Sequence, residues 1–389
     1  MQISELAKSI TKSKIRVMYD LARKKENVLS FTVGEPDFMT PKPIIDKANE
    51  YLSKGYTKYT PNPGIMELRE AIAEKFSPAL KRKIDPETEI IVTVGATEAI
   101  LVAMQTVMNP GDNIILADPY FTSYTNQIKI CHCSANLVPA KEENAFCMRA
   151  EDIEAAVNER TKMLLLNSPC NPTGAEYCVE ELEQIAKIAV KHDLVVISDE
   201  VYNTIRYTDE PFVSIATMPG MAERTIVVNA FSKAYAMPGW RLGYAIGPAE
   251  LIGMMPKTHD VTVACVNAPH QYAGAWALRN CDEEVARMRE IFRKRKDLIV
   301  AGVNGIPGLK CFEPKGAFYL WINIKEFGAT SEEFCFDLLE DQSMAIVPGS
   351  GFGAYGEGYV RMTYAADEAA IQEGIRRLEA YVKKLRAGK

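Results

Sequence analysis

The run Thr225-Ile-Val-Val-Asn-Ala-Phe-Ser-Lys-Ala-Tyr-Ala-Met-Pro-Gly-Trp-Arg-Leu242 decides how this chain is read. Its opening stretch, Thr225 to Asn229, is β-branched and nearly continuous in apolar character, the pattern of a strand buried on both faces. Lys233 follows just past the strand end, where an open sheet presents residues to a cleft. Arg241 stands further along, after a Gly-Trp step. A lysine and a second cation at fixed spacing suit an anionic ligand group such as phosphate. They also match what pyridoxal phosphate requires of a protein, an amine for its aldehyde and a charge for its tail. A charged surface loop would present the same two residues, so the remainder of the chain has to decide.

Working outward, similar short apolar runs recur at Glu89–Val94, Asn113–Ala117, Lys162–Leu166 and Leu194–Ser198. Between the last two, Val179 to His192 carries Leu182, Ile185, Ala186, Ile188 and Ala189 at helical spacing. Near-continuous hydrophobic strands alternating with helices predict an α/β fold, a mostly parallel sheet covered by helices. Ligands of such sheets sit beyond the carboxyl ends of the strands. Gly95, Asn167 to Asn171, Asp199 and Lys233 all fall there, and are expected to converge on one cleft. The charged helical pattern from Asp282 to Val303 predicts a link to a second unit. Beyond it, Gly308 to Ile324 has strand character, and Asp367 to Leu385 reads as an amphipathic terminal helix.

Composition narrows the function classes. A chain of 389 residues exceeds one ordinary core and favours two domains. A net charge of −6 argues against nucleic-acid backbone binding, which needs a basic face. The nine cysteines show neither disulfide nor zinc spacing, and Cys131-His132-Cys133 reads as alternation within a strand-like run rather than a metal site. No apolar run reaches the length of a membrane span, and the N-terminus lacks a signal-peptide core. A cytoplasmic location in a reducing compartment is expected, with no metal, no membrane and no nucleic acid as partners.

Several residues invite a chemical reading. Asp199 ends a buried run, where an ionised carboxylate is costly unless paired; a protonated pyridine nitrogen would be such a partner, and a helix N-cap the plainer alternative. Gly95-Ala96-Thr97 opens a helical pattern whose free N–H groups and dipole make an anion site, to which Thr97 adds a hydroxyl and Arg241 a charge. Arg361, in Tyr359-Val-Arg-Met-Thr363, alternates against Val360 and Met362 and offers a planar fork for a carboxylate. Tyr202 and Phe121 fit either a cofactor ring or core packing.

Taken together, five segments in order make the chain resemble the class I/II pyridoxal-phosphate aminotransferases. They are Val33-Gly-Glu-Pro-Asp37, Asn171-Pro-Thr-Gly174, Ser198-Asp-Glu-Val-Tyr202, the lysine stretch around Lys233, and Tyr359-Val-Arg361. The likeness runs from about residue 30 onward and implies the fold type I architecture, with a large cofactor domain over 40–285 and a smaller α+β domain from 1–39 plus 286–389. It implies pyridoxal 5′-phosphate as cofactor, Lys233 as the catalytic amine, and Ala96, Thr97, Phe121, Asn171, Asp199, Tyr202 and Arg241 as cofactor contacts. Arg361, Asn171 and the Gly34 backbone would hold the substrate carboxylate. Tyr59 would reach the phosphate of a neighbouring subunit, which implies a homodimer with shared sites. A serine that often precedes the lysine by three residues is replaced by Ala230, leaving Ser232 as a candidate substitute. The implied reaction is a ping-pong transfer of an amino group from an L-amino acid (aspartate, aromatic or broad range) to a 2-oxo acid. Some aspartate-specific relatives carry a lysine where this chain has Thr97. A Cβ–Sγ lyase acting on cystathionine or cysteine would use the same cofactor and lysine. An effector-binding module is the non-catalytic alternative, disfavoured because no winged helix-turn-helix precedes residue 30.

Overall fold

The computed structural model describes residues 2–387. Among the described residues, thirteen strands form the sheets. In chain order they are β1 (Leu29–Ser30), β2 (Ile90–Thr93), β3 (Asn113–Asp118), β4 (Ser134–Pro139), β5 (Thr161–Asn167), β6 (Val195–Asp199), β7 (Thr225–Ala230), β8 (Gly243–Ile246), β9 (Lys310–Phe312), β10 (Tyr319–Asn323), β11 (Met344–Ala345), β12 (Val347–Pro348) and β13 (Tyr359–Thr363).

The large sheet has the order β2-β8-β7-β6-β5-β3-β4. Neighbours from β7 through β4 run parallel, while β8 is antiparallel to both β2 and β7. Every residue of β7 is buried, as are those of β2. This is why these runs are apolar without alternation: helices cover both faces. Each Val or Ile so buried contributes about 1.5–3 kcal/mol before entropy is counted. The helix Val179–Lys191 shows how the cover is made. Leu182, Ile185, Ala186, Ile188 and Ala189 form its buried stripe, while its charged residues face water.

The smaller sheet is antiparallel, in the order β12-β13-β10-β9. It packs with the helices Asp282–Asn304 and Glu368–Ala387. The expected strand region from Gly308 to Ile324 resolves into β9 and β10 joined by a tight segment. The short β1 pairs with β11, so the N-terminal segment is stitched to this second layer. Opposite register neighbours Trp321 and Arg361 place the arginine in the middle of β13, fully buried.

One expectation requires correction. Cys131-His132-Cys133 is not part of a strand: Cys131 caps the helix Ser123–Ile130, and His132 turns the chain at φ 56° before β4 begins. Three residues with alternating polarity imitate a strand when the turn contains no glycine or proline to mark it.

Candidate active site

The carboxyl ends of β2, β3, β5, β6 and β7 share one edge of the large sheet, and a cavity of about 230 Å³ opens there. Gly34, Ala96, Thr97, Phe121, Asn171, Asp199, Tyr202, Lys233, Arg241 and Arg361 all line it, together with Ala230 and Ser232. Tyr59 does not: its side chain is 89% exposed on the surface of the chain.

Lys233 sits in the short helix Phe231–Ala234 that follows β7, so the strand end fixes its position. Its Nζ donates to the Gly34 carbonyl at 2.6 Å. Burial pushes the amine down to about 8, opposed by the charge of Glu35 and reinforced by Arg361. Across the cavity, Asp199 closes β6. The Tyr124 hydroxyl donates to its Oδ2 at 2.6 Å, and the Val201 N–H to Oδ1 at 3.4 Å. Burial raises this carboxyl to about 6, against the lowering effect of those two donors and of Lys233. The carboxylate therefore faces the cavity with its charge only partly compensated, a state that favours a cationic ligand group.

At the opposite end, the helix Gly95–Val107 points its N-terminus at the cavity. Gly95 has φ +76°, and an added Cβ would lie 2.5 Å from Arg241 Nη2. Gly243, at the start of β8, approaches so closely that a Cβ there would lie 2.7 Å from the Ala96 nitrogen. Two glycines thus let the chain crowd a guanidinium against the free amides of a helix terminus, a combination that attracts an anion. Arg241 is held by Pro238 O at 3.0 Å and Val94 O at 3.3 Å, with no carboxylate paired to it among the described residues.

Arg361 is fully buried. Its Nη1 donates to Asn171 Oδ1 at 2.9 Å and its Nη2 to the Thr32 carbonyl. Both partners are neutral, and Nε has no partner among the described residues. The rings of Tyr319 and Phe352 lie 4.5 and 4.9 Å from the guanidinium carbon. A buried cation without an anion is strongly unfavourable. A planar guanidinium held in this way is chemically suited to pair with a carboxylate.

Other cavity residues were not legible beforehand in these roles. Tyr124 is a side-chain donor to Asp199. Tyr319 meets Tyr202, hydroxyl to hydroxyl, at 2.7 Å, and Asn167 orients Asn171 through a 2.8 Å bond to its N–H. Gln127 and Ile15 also reach the cavity. A helix face or a strand end marks each of these as a candidate for burial, but nothing local distinguishes a site residue from a core one.

The sequence profile described as aminotransferase class I and II matches residues 26–378. An aspartate aminotransferase of Pyrococcus abyssi is 42% identical over 98% of this chain and 99% of its own. The aromatic-amino-acid aminotransferase 2 of Thermococcus litoralis is 40% identical over the same shares of each chain. Among solved structures, the aspartate aminotransferase of Thermus thermophilus with maleate superposes with a TM-score of 0.93 at 35% identity, covering 98% of this chain and 99% of that one.

Proposed function

The chain belongs to the class I and II aminotransferases, pyridoxal-phosphate enzymes of fold type I, and on that premise we propose a role for each residue of its cavity and a preferred substrate class. The residues present fit the cofactor. A buried, half-compensated carboxylate (Asp199), an amine of lowered basicity (Lys233) and a helix terminus crowded by Arg241 offer partners for its ring nitrogen, its aldehyde and its phosphate. When bound, the cofactor supplies an aldehyde that captures amines and a conjugated ring that accepts the electrons of a broken Cα–H bond.

Around that chemistry the side chains divide the work. Asp199, oriented by Tyr124, keeps the ring nitrogen protonated. The amides of Ala96 and Thr97, the Thr97 hydroxyl and Arg241 hold the phosphate, and Ser232 is placed to add a donor where Ala230 offers none. Phe121 packs against the ring, while Tyr202 and Asn171 face its oxygen. Lys233 attaches the cofactor and, once released by the incoming amine, moves a proton to and from the substrate α-carbon. With the amine near 8, a usable fraction is neutral around pH 7. Arg361, with Asn171 and the Gly34 backbone, takes the substrate carboxylate and sets which bond on Cα lies across the ring. The observation that carries the reading is the fully buried Arg361 with no anionic partner among the described residues, facing a cavity that also holds Lys233 and Asp199.

The cations lining the cavity among the described residues are Lys233, Arg241 and Arg361. Each already has a task, so within one subunit none of them is left for a second substrate carboxylate. Phe121, Tyr124, Ile15 and Ile100 contribute an apolar wall. We therefore place aromatic and other neutral L-amino acids ahead of aspartate. The relatives carry both kinds of name and do not choose between them. Comparing kcat/KM for L-phenylalanine and L-aspartate tests this; an aspartate preference of tenfold or more would overturn it. The relatives are named as aminotransferases and do not favour the lyase or effector-module alternatives.

The proposal extends to a cytosolic homodimer with domains over 40–285 and 1–39 plus 286–389. The division has support in the large sheet lying wholly within 90–246 and the smaller one within 310–363. No helix among the described residues is long and apolar enough to cross a membrane. Tyr59, Met39 and Val261 leave more than four-fifths of their surface exposed, apolar area that a second copy would cover. Sedimentation at micromolar concentration tests the dimer, and Tyr59→Phe tests the shared site by weakened cofactor binding.

A further inference from the structure

Behind the helix terminus assigned to the phosphate lies a buried acid–imidazole pair with no part in the chemistry above. Glu98 stands in the first turn of the helix Gly95–Val107 and is 8% exposed. One of its oxygens accepts the N–H of Val94, the residue immediately before the helix. The other lies 2.8 Å from Nδ1 of His259, whose side chain is fully buried and whose Nε2 has no partner among the described residues. An ionised carboxylate can only accept, so the tautomer protonated on Nδ1 is the one that makes this bond.

The position of Val94 gives this pair its meaning. Its N–H is held by Glu98 and its carbonyl accepts from Arg241 Nη2. One peptide unit on, Gly95 begins the run of free amides at φ +76°. Glu98 and His259 therefore fix the residue that aligns both parts of the anion site, the helix amides and the guanidinium. His259 belongs to the helix Met255–Val263, on which Asp260 accepts from Asn62 Nδ2 at 3.1 Å. Asn62 also donates to the carbonyl of Ala264 at 2.9 Å. Asn62 lies three residues from Tyr59, so the same helix that braces the anion site from behind anchors the loop bearing that exposed tyrosine.

We infer that Glu98 and His259 are positioning residues for phosphate binding, a buried brace that sets the geometry of the Gly95–Thr97 amides and Arg241. Removing the imidazole leaves the Glu98 carboxylate buried with one partner fewer, which loosens its hold on Val94. The effect falls on the phosphate and spares the ring and aldehyde contacts. The inference rests on the phosphate assignment proposed above, and the test separates the two.

The full-length protein, freed of cofactor, is titrated with pyridoxal phosphate, with pyridoxal, which lacks the phosphate, and with inorganic phosphate as a competitor. Wild type is expected to bind pyridoxal phosphate at least a hundredfold tighter than pyridoxal. His259→Leu is expected to weaken pyridoxal phosphate and inorganic phosphate at least tenfold, with pyridoxal changed less than twofold. His259→Asn, which returns a donor near the Nδ1 position, should recover most of the loss. Glu98→Gln, which keeps the shape and drops the charge, carries the same comparison if the leucine variant does not fold. Equal weakening of all three ligands, or no weakening, overturns the inference. If wild type itself does not distinguish pyridoxal phosphate from pyridoxal, the phosphate assignment fails first.

Discussion

Replacing Arg361 with lysine keeps the charge and removes the planar fork. In the protein the guanidinium is fully buried, and its bonds to Asn171 Oδ1 and the Thr32 carbonyl hold its plane in one orientation. A carboxylate approaching that plane gains two parallel charge-assisted hydrogen bonds, and an ammonium at the same place supplies one of them. A hydrogen bond to a charged group contributes about 1.5–3 kcal/mol. At ~1.4 kcal/mol per tenfold, losing one weakens amino-acid binding roughly 10- to 150-fold. The assay is the KM for the amino donor, measured beside cofactor occupancy and beside the slow reaction of the corresponding amine without a carboxylate. Arg361→Lys is expected to raise KM within that range, leave the cofactor bound, and leave the carboxylate-free amine unaffected. An unchanged KM, or the same loss with the simple amine, would rule out the guanidinium fork as the carboxylate's partner.

Further predictions concern the rest of the cavity. Lys233→Ala should abolish covalent attachment of the cofactor, read as loss of the borohydride-fixed adduct by mass spectrometry, and lower turnover by about 10²–10⁴-fold or more; a surviving adduct would move the assignment elsewhere. In protein stripped of cofactor, Asp199 titrates at about 6 rather than 3.8. Between those values the folded chain keeps a proton that the unfolded chain has released, so stability falls as pH rises through the window and stays lower above it. The loss is on the order of 3 kcal/mol. Asp199→Asn should flatten this part of the pH profile in chemical denaturation, and an unaltered slope would reject the attribution. At Gly34 an added Cβ would lie 2.0 Å from the hydroxyl oxygen of Tyr319, a fully enclosed side chain. Gly34→Ala should therefore displace the segment that receives Lys233 and cost about 1–3 kcal/mol of stability, visible as a lowered Tm; an unchanged Tm and kcat/KM would show that the segment can yield.

What could be read from the chain alone follows from how local each signal is. Lys233, Asp199, Asn171 and the Gly95 turn were visible because each follows a near-continuous apolar run, and strand ends in such sheets face the ligand edge. Arg361 was visible through the alternation of Tyr359 to Thr363, which separates it from Val360 and Met362. The bond between Tyr124 and Asp199 was not visible, because the two meet only when the helix Ser123–Ile130 packs over the sheet, across 75 positions of sequence. Glu98 and His259 were hidden for the same reason, 161 positions apart. The smaller layer was harder still. Two-residue strands such as β11 and β12 are too short to carry any periodicity, so the stitching of β1 to β11 had no local trace.

Amino transfer at Lys233 can be observed in a single turnover. The full-length protein loaded with pyridoxal phosphate is mixed with one L-amino acid, phenylalanine or aspartate, with no 2-oxo acid present, and the products are counted. The expected result is one equivalent of 2-oxo acid per bound cofactor, then a halt that only an added 2-oxo acid relieves. Continuous release of oxo acid and ammonia without an acceptor, or no product from any L-amino acid, would contradict it.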